Sequence, residues 1–186
     1  MMLSAIGKST TVYARKLTIK PVASNWFATN HLQGAGKALI CYGLFDDADN
    51  CMCAMSFGKP RFNQSYEWEI VRFANALNTT VVGGASRLWA HFVRQHQPKT
   101  AISYADLRIS QGKLYKQLGF KLSHVSPPSW YWCKNGMRLS RYQTQKHKLQ
   151  DLDVAVDESK SAVANMRQNG WLQVFDAGTL AFIWKE

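Results

Sequence analysis

Residues 67–89, EWEIVRFANALNTTVVGGASRLW, contain the change of periodicity that decides the fold. The first eight residues alternate as in a β-strand, and residues 75–82 are predicted to form a loop. Gly83 and Gly84 then begin a helix with one apolar face. Backbone N–H groups at a helix start bind anions, and glycines allow a ligand to approach them closely. The junction therefore predicts either a phosphate or pyrophosphate site or a tight turn that Ser86 helps to cap.

Similar patterns on both sides of this stretch predict the other elements. Strands are expected at 10–22, 37–45, 51–57, 66–74, 99–105, 121–126 and 129–142, and in a final hairpin at 170–184. Helices are expected at 23–34, at 83–96 with Leu88, Trp89, Phe92 and Val93 on one face, at 111–120, and around 157–169. This order predicts an α+β (mixed α/β) fold with a sheet flanked by helices. Residues 1–142 are expected to form one domain, with 143–186 as an extension packed on it.

The charge of the chain is strongly basic, +11, from 23 Lys and Arg against 12 Asp and Glu. No acid lies between Asp106 and Asp151 or within residues 1–45. This regional bias indicates a nucleic-acid face, although a solvated basic surface accounts for it equally well. The four cysteines lack zinc-ligand spacing, so no metal is expected and the thiols are predicted to stay reduced in a cytoplasm. No segment predicts a membrane span, and residues 1–20 lack the apolar run of a signal peptide.

Aromatic and basic residues interleave in the segment 129–148, SWYWCKNGMRLSRYQTQKHK. Aromatic rings can stack on unpaired bases while cations contact phosphates. Alternation along a strand also directs about half of these rings to the core. The nucleic-acid contacts predicted from the chain are Arg72, Arg108, Trp130, Trp132, Lys134, Arg138, Arg141, Lys146 and Lys148.

Two stretches resemble motifs of the GNAT acyltransferase superfamily. TVVGGA, residues 80–85, has the spacing of that family's Arg/Gln-x-x-Gly-x-Gly/Ala motif, and LYKQLGF, residues 114–120, is similar to its Tyr-x-x-Leu-Gly-Phe motif. The resemblance covers about residues 12–133 and implies a mostly antiparallel central sheet and an acyl-CoA cofactor such as acetyl-CoA. The residues it implies for the cofactor are Thr80, Val82, Gly83, Gly84, Ala85 and Ser86. Thr80 stands where the family usually has Arg or Gln.

A narrower resemblance joins EWEIVRFAN (67–75), ISYAD (102–106) and the aromatic-basic segment. Together they resemble the Mom-like phage branch of this fold and domains that accompany phage homing endonucleases. Mom-like proteins modify adenine in DNA. The resemblance therefore implies a phage protein acting in the cytoplasm of an infected bacterium, with DNA as its macromolecular partner.

Three residues are candidates for catalysis. Tyr115 stands at the family's general-acid position, where a phenol would protonate the departing CoA thiolate; otherwise it packs beside Leu118 and Phe120. Glu69 lies on a half-buried strand and is the candidate base, unless it forms an ion pair with an arginine. Direct pairing with Arg72 would require a bulge, because alternation places the two on opposite faces. Asp106 is expected either to orient the substrate or to cap the helix that follows.

Three functions remain open from the sequence. The first is a DNA-modifying transferase that adds a small acyl-type group to a nucleobase amine. The second is a non-catalytic DNA-binding module related to endonuclease-associated domains, which Thr80 favours. The third is a small-molecule N-acyltransferase, which the regional basicity disfavours.

Overall fold

The fold is described here from a computed structural model in which residues 9–186 are described. Its strands are β1 Thr10–Tyr13, β2 Thr18–Pro21, β3 Ile40–Phe45, β4 Cys51–Gly58, β5 Trp68–Asn75, β6 Thr79–Val82, β7 Thr100–Asp106, β8 Lys121–Ser126, β9 Trp130–Lys134, β10 Met137–Ser140, β11 Leu172–Phe175 and β12 Thr179–Lys185. Its helices are α1 Trp26–Asn30, α2 Gly84–His96, α3 Lys113–Gln117 and α4 Ala162–Gln168, with 3-10 turns at Ala14–Lys16 and Lys146–Asp151. The first eight residues of the segment considered as a signal peptide lie outside the described residues.

The described chain divides into two units by its internal contacts. The first unit contains the chain up to Ala105, then Gln111–His124 and Ala181–Glu186. The second unit contains Asp106–Ser110 and Val125–Leu180. The predicted boundary between residues 142 and 143 stays a prediction, because a unit defined by contacts need not fold independently.

The larger sheet has seven strands in the order β2-β3-β4-β5-β7-β12-β8. The strands β2 to β5 pair antiparallel, whereas β5 and β7 pair parallel. Helix α2 packs its apolar face on this sheet, and the Phe57 and Phe92 rings stack with their centroids 3.7 Å apart. Leu88 and Phe92 are fully buried on this face, as the helical spacing predicts. The predicted α+β class, with a mostly antiparallel sheet flanked by helices, is confirmed.

The N-terminal strand predicted over residues 10–22 is wrong as a single element. Ala14 and Leu17, both 4% exposed, turn inward three residues apart, which favours a 3-10 turn over a continuous strand. The turn separates β1 from β2, which pairs with β3. Strand β1 pairs parallel with β6, a strand inside the region predicted as a loop. This pairing links segments about 70 residues apart, which local periodicity does not detect.

The second unit contains a three-stranded sheet in the order β10-β9-β11. Its core consists of Trp132, Leu149, Met166 and Trp171. The final hairpin predicted at 170–184 is wrong, because β11 pairs with β9 whereas β12 joins the seven-stranded sheet. Strand β12 carries the fully buried Ala181 and Phe182, so it is a core strand of the larger sheet.

Candidate active site

The strands β5 and β7 separate soon after they meet. Among the described residues, their parallel pairing joins Trp68 with Ala101 and Glu69 with Ile102. Next to this point the register of β4 and β5 pairs Ser56 with Arg72 and Phe57 with Ile70, which leaves Val71 as the extra residue of a β-bulge. Separation and bulge together create a gap between β5 and β7.

Side chains take over hydrogen bonds at this gap. The buried Ser103 hydroxyl donates to the Ile70 carbonyl oxygen at 2.8 Å. The Arg72 guanidinium donates to the Val71 carbonyl oxygen at 2.8 Å and to the Gly34 carbonyl oxygen at 3.1 Å. Backbone carbonyls that lack a strand partner need such donors. Carbonyl oxygens of β5 at the gap are therefore satisfied by specific side chains.

Tyr115 lies at this gap on helix α3. Its hydroxyl donates to the Tyr104 carbonyl oxygen at 3.4 Å, and its ring lies 5.3 Å from the Phe182 ring. Burial raises the pKa of Tyr115, and a hydrogen bond with Ser103 and the charge of Arg72 partly offset this effect. The phenol thus keeps its proton at neutral pH and can act as a proton donor. The ring also packs in the core, so the two roles considered for Tyr115 are compatible.

Glu69 is fully buried and forms an ion pair with Arg61. The Arg61 Nε and Nη2 atoms lie 2.7 Å and 2.6 Å from Glu69 Oε1, and the Arg61 backbone N–H donates to Oε2 at 2.8 Å. Burial, and then the charge of Arg61, lower the pKa of Arg72, while Glu69 and Tyr115 partly offset this effect. Within the part of the chain that the structure describes, Arg72 therefore interacts electrostatically with Glu69 but forms no ion pair with it. The ion pair is thus with Arg61, and the role of Glu69 as a base stays a prediction.

His31 lies on the loop that contacts this gap from the other side. It follows helix α1, and its Nδ1 accepts a hydrogen bond from the Gln33 N–H at 3.1 Å. Burial, and then the charge of Arg72, lower the pKa of His31 to about 4. A Cβ atom on Gly36 would lie 2.6 Å from the Val71 side chain, so this loop packs tightly on the bulge. His31 is therefore a half-buried side chain that is neutral at pH 7.

We expect His31 to titrate in the folded protein with a pKa of about 4, against 6.5 for an unperturbed histidine. Because the folded pKa is depressed, its contribution to stability is complete above about pH 6.5 and is lost as the pH falls to 4. An NMR titration of the imidazole C–H signals would measure this, with His31→Gln to assign the signal. Arg72→Met should raise the pKa only part of the way, since burial is the larger cause. A midpoint near 6.5 would contradict the packing described here.

The N-terminus of α2 lies beside an open cavity of about 600 Å³. Three of the predicted cofactor residues line it: Val82, Gly83 and Ser86. Gly83 has φ +78°, a left-handed conformation in which glycine is strongly favoured, and a Cβ atom there would meet only Ala14 at 3.8 Å. The N–H groups at the start of α2, a helix of 13 residues, therefore lie beside open space, where an anion can bind.

Three other predicted cofactor residues do not line the cavity. Gly84 and Ala85 are buried, and a Cβ atom on Gly84 would lie 2.8 Å from the Cys53 Sγ. The Thr80 hydroxyl lies 2.7 Å from the Ser9 hydroxyl. Gly84 is thus required for close packing of the helix on the sheet, and its predicted contact with a ligand is not supported.

Sequence reasoning missed the other four lining residues, and two of them, Tyr13 and Arg15, carry exposed side chains. Both come from β1 and its following turn, and the Arg15 guanidinium lies 5.3 Å from the Tyr13 ring centroid. Arg87 also lines the cavity, but its guanidinium is engaged with the Ala14 and Leu17 carbonyl oxygens. The signal that could have indicated Arg15 is the absence of acids from residues 1–45.

The remaining predicted site residues lie mostly in the second unit. Asp106 accepts from the Arg108 backbone N–H at 3.0 Å and pairs with its guanidinium at 2.5 Å, so it stabilises the turn after β7. The expectation that it caps the following helix is wrong, because α3 begins at Lys113 with Gly112 as its N-cap. The Arg138 guanidinium lies 3.8 Å from the Tyr131 ring centroid, and Arg141 lies 4.4 Å from that of Trp130.

Other members of the predicted nucleic-acid set are engaged within the second unit. Trp132 is 1% exposed in its core, so its ring is not available to stack on a base. Lys134 and Lys146 donate to the Asn169 and Glu158 carbonyl oxygens at 2.7 Å and 2.6 Å. The Lys148 Nζ atom lies 3.1 Å from the Tyr142 ring centroid. Within residues 9–186, no group of three His, Cys, Asp or Glu is placed to hold a metal, and no helix is long and apolar enough to span a membrane.

Several solved structures share this architecture. An acetyltransferase from Bacillus subtilis in complex with CoA matches with 12% identity and a TM-score of 0.50, over 92% of this chain and 99% of that one. An IAA acetyltransferase from Bacillus cereus matches with 10% identity and a TM-score of 0.50, over 91% and 99%. A GNAT family acetyltransferase from Elizabethkingia anophelis with acetyl-CoA bound matches with 11% identity and a TM-score of 0.50, over 92% and 99%.

Sequence comparison adds no closer assignment. No family model matches the chain, and no curated protein matches it. The structural likeness extends over 92% of this chain and 99% of the Bacillus subtilis and Elizabethkingia anophelis chains. The chain therefore has the fold of the GNAT acetyltransferases.

Proposed function

We propose that this chain is an acyl-CoA-dependent N-acyltransferase that acts on a nucleobase amine in DNA. The observation that carries the proposal is the partly buried Tyr115 hydroxyl at the gap between β5 and β7. A protonated phenol at such a gap suits a reaction in which a poor leaving group must receive a proton. The fold class and the open cavity at the start of α2 support the same function.

The residues around the α2 cavity fit the charged part of an acyl-CoA. Gly83 keeps the helix start open, the exposed Ser86 supplies a hydroxyl, and the exposed Arg15 supplies a cation. These are the groups that bind a pyrophosphate at a helix start. When bound, acyl-CoA supplies an acyl group activated as a thioester. Tyr115 holds a proton at its Oη atom that can pass to the sulfur as the thioester is cleaved.

We expect Arg15→Ala to weaken acetyl-CoA binding about tenfold, because it removes one charge-assisted contact with a phosphate. Isothermal titration calorimetry at two salt concentrations would measure the change, and the salt dependence should also decrease. The matched control is Arg94→Ala, which removes an exposed arginine in the last turn of α2, at the end opposite the cavity. Equal affinities of Arg15→Ala and the unaltered protein would contradict the assignment of this cavity.

Charge supports DNA as the acceptor. The first unit has fifteen Lys and Arg against six Asp and Glu, whereas the second has eight against six. The unit that contains the gap therefore carries most of the positive charge, which attracts a polyanion. In the second unit, the exposed Arg138 and Arg141 lie over aromatic rings, an arrangement that presents flat cationic surfaces to bases or phosphates.

A small-molecule N-acyltransferase is the second candidate. The engaged lysines Lys134 and Lys146 favour it, because they reduce the number of cations in the second unit that are available to DNA. A non-catalytic DNA-binding module is the third candidate, and Thr80 at the position of the family's Arg or Gln still favours it.

One experiment separates these functions. The full chain is incubated with acetyl-CoA and either single-stranded DNA or a panel of alkyl amines, and free thiol release and acetylated nucleosides are measured, the latter by mass spectrometry. Acetylated nucleosides with thiol release support the proposal. Acylation of amines without modified nucleosides would replace it with the second candidate. Salt-dependent DNA binding without thiol release would replace it with the third.

A further inference from the structure

The loop between β4 and β5 exposes a large aromatic side chain. Phe62 is 75% exposed, in the polar context RFNQSY of residues 61–66. Phenylalanine is normally among the most buried residue types, and an exposed ring beside a functional cleft often marks a ligand contact. Neither the proposed proton donor nor the α2 cavity uses Phe62.

Neighbouring side chains fix the position of this ring. The Phe62 ring meets the Tyr104 ring edge to face, with centroids 5.4 Å apart and an interplanar angle of 89°. The Arg61 guanidinium lies 5.5 Å from the Phe62 ring centroid and is itself held by Glu69. Two perpendicular rings form an L-shaped corner, on which a flat ligand can stack against one ring while the other limits its sliding.

The corner belongs to the gap between β5 and β7. Tyr104 lies on β7, and its carbonyl oxygen accepts from the Tyr115 hydroxyl. Burial, and then the charge of Glu69, raise the pKa of Tyr104, which shows that its ring shares this environment with the Glu69–Arg61 pair. One residue of the corner, Tyr104, is thus in backbone contact with the predicted proton donor.

Resting on the proposed function, we infer that Phe62 and Tyr104 form the seat for the acceptor, a nucleobase displaced from its strand. A nucleobase has two flat π-faces that stack on aromatic rings, and its edge can accept hydrogen bonds from the Arg61 donors that Glu69 does not use. The positive charge of the first unit favours a base that arrives on a phosphate backbone over a neutral free heterocycle. A base must leave the stack of its strand before it can be modified, which costs free energy. Stacking on the aromatic corner offsets part of that free energy.

A fluorescent base tests the seat directly. A short single-stranded oligonucleotide with one 2-aminopurine is titrated with the full chain, and stacking on the corner is expected to quench its fluorescence. Phe62→Leu keeps an apolar side chain but removes the ring, so the affinity should fall about tenfold. Phe62→Tyr keeps the ring and should retain the affinity, and an oligonucleotide of thymidines, which lack an exocyclic amine, should compete.

A second pair of variants and one further measurement keep the result unambiguous. Tyr104→Leu should weaken binding as Phe62→Leu does, whereas Tyr104→Phe should not, and Leu77→Ala controls for loss of another exposed apolar side chain. Acetyl-CoA binding is measured on the same preparations. Intact acetyl-CoA binding with no loss of base affinity in Phe62→Leu would overturn the seat and leave the acyltransferase. Ring-dependent quenching without acetyl-CoA binding would support the seat and remove the acyltransferase.

Discussion

Tyr115→Phe is expected to lower kcat for acyl transfer by about a hundredfold to a thousandfold. The substitution removes only the hydroxyl that supplies a proton at the gap between β5 and β7. Its hydrogen bond to the Tyr104 carbonyl oxygen is long, 3.4 Å, and the ring contact with Phe182 remains. The hydrogen bond with Ser103 is also lost, but the Ser103 hydroxyl keeps its bond to the Ile70 carbonyl oxygen. The melting temperature should therefore change little while the rate falls. Thiol release from acetyl-CoA under saturating acceptor measures the effect.

The pH dependence of the unaltered enzyme should agree with this role. In the proposed function the acid form of Tyr115 is the active form, and burial raises its pKa above the ordinary value of 10.0. Any loss of rate caused by Tyr115 ionisation should thus lie above pH 10. Tyr42→Phe is a matched control, because it removes a phenol hydroxyl that lies 3.0 Å from His96 Nε2. Full activity in Tyr115→Phe, or an equal loss in Tyr42→Phe, would contradict the assignment.

The local pattern of the sequence could predict the elements that surround the site. The alternation before residue 75 and the helical spacing of Leu88 and Phe92 depend on near neighbours, and both elements form as predicted. Short motifs likewise predict the helix that begins at the glycine pair and single out Tyr115 in α3. Each motif lies within one element or at its end.

The residues that the sequence did not indicate depend on distant pairing. Tyr13 and Arg15 reach the α2 cavity because β1 pairs with β6. The bulge at Val71 depends on the register between β4 and β5, and alternation within one strand could not locate it. Arg61 lies eight residues before Glu69, in a loop without a motif. The predicted final hairpin does not form because β11 pairs with β9 in the three-stranded sheet, whereas β12 joins the seven-stranded sheet.

Arg61→Met is expected to lower the free energy of unfolding by about 3 kcal/mol. Glu69 is 0% exposed, and within residues 9–186 the hydrogen bonds and the ion pair of its carboxylate come from Arg61. Removing the guanidinium leaves a buried carboxylate without its charge partner, although the Arg61 backbone N–H remains. Urea denaturation would measure the loss. The double variant Arg61→Met/Glu69→Gln should recover most of it, because no unpaired charge then remains.

The same double variant decides between two roles of Glu69 in the reaction. An alkyl amine carries a proton at neutral pH, like lysine with a pKa of about 10.4, and must lose it before attack. The exocyclic amine of a nucleobase is uncharged at that pH, so it can attack without prior deprotonation. The proton that it loses after the new C–N bond has formed can return to the Tyr115 phenolate, which has given its own proton to the departing thiolate. With a nucleobase acceptor, we therefore expect the double variant to keep kcat within about tenfold at saturating DNA, since Glu69 then serves to position Arg61. A loss of a hundredfold or more, with stability recovered, would instead identify Glu69 as the general base.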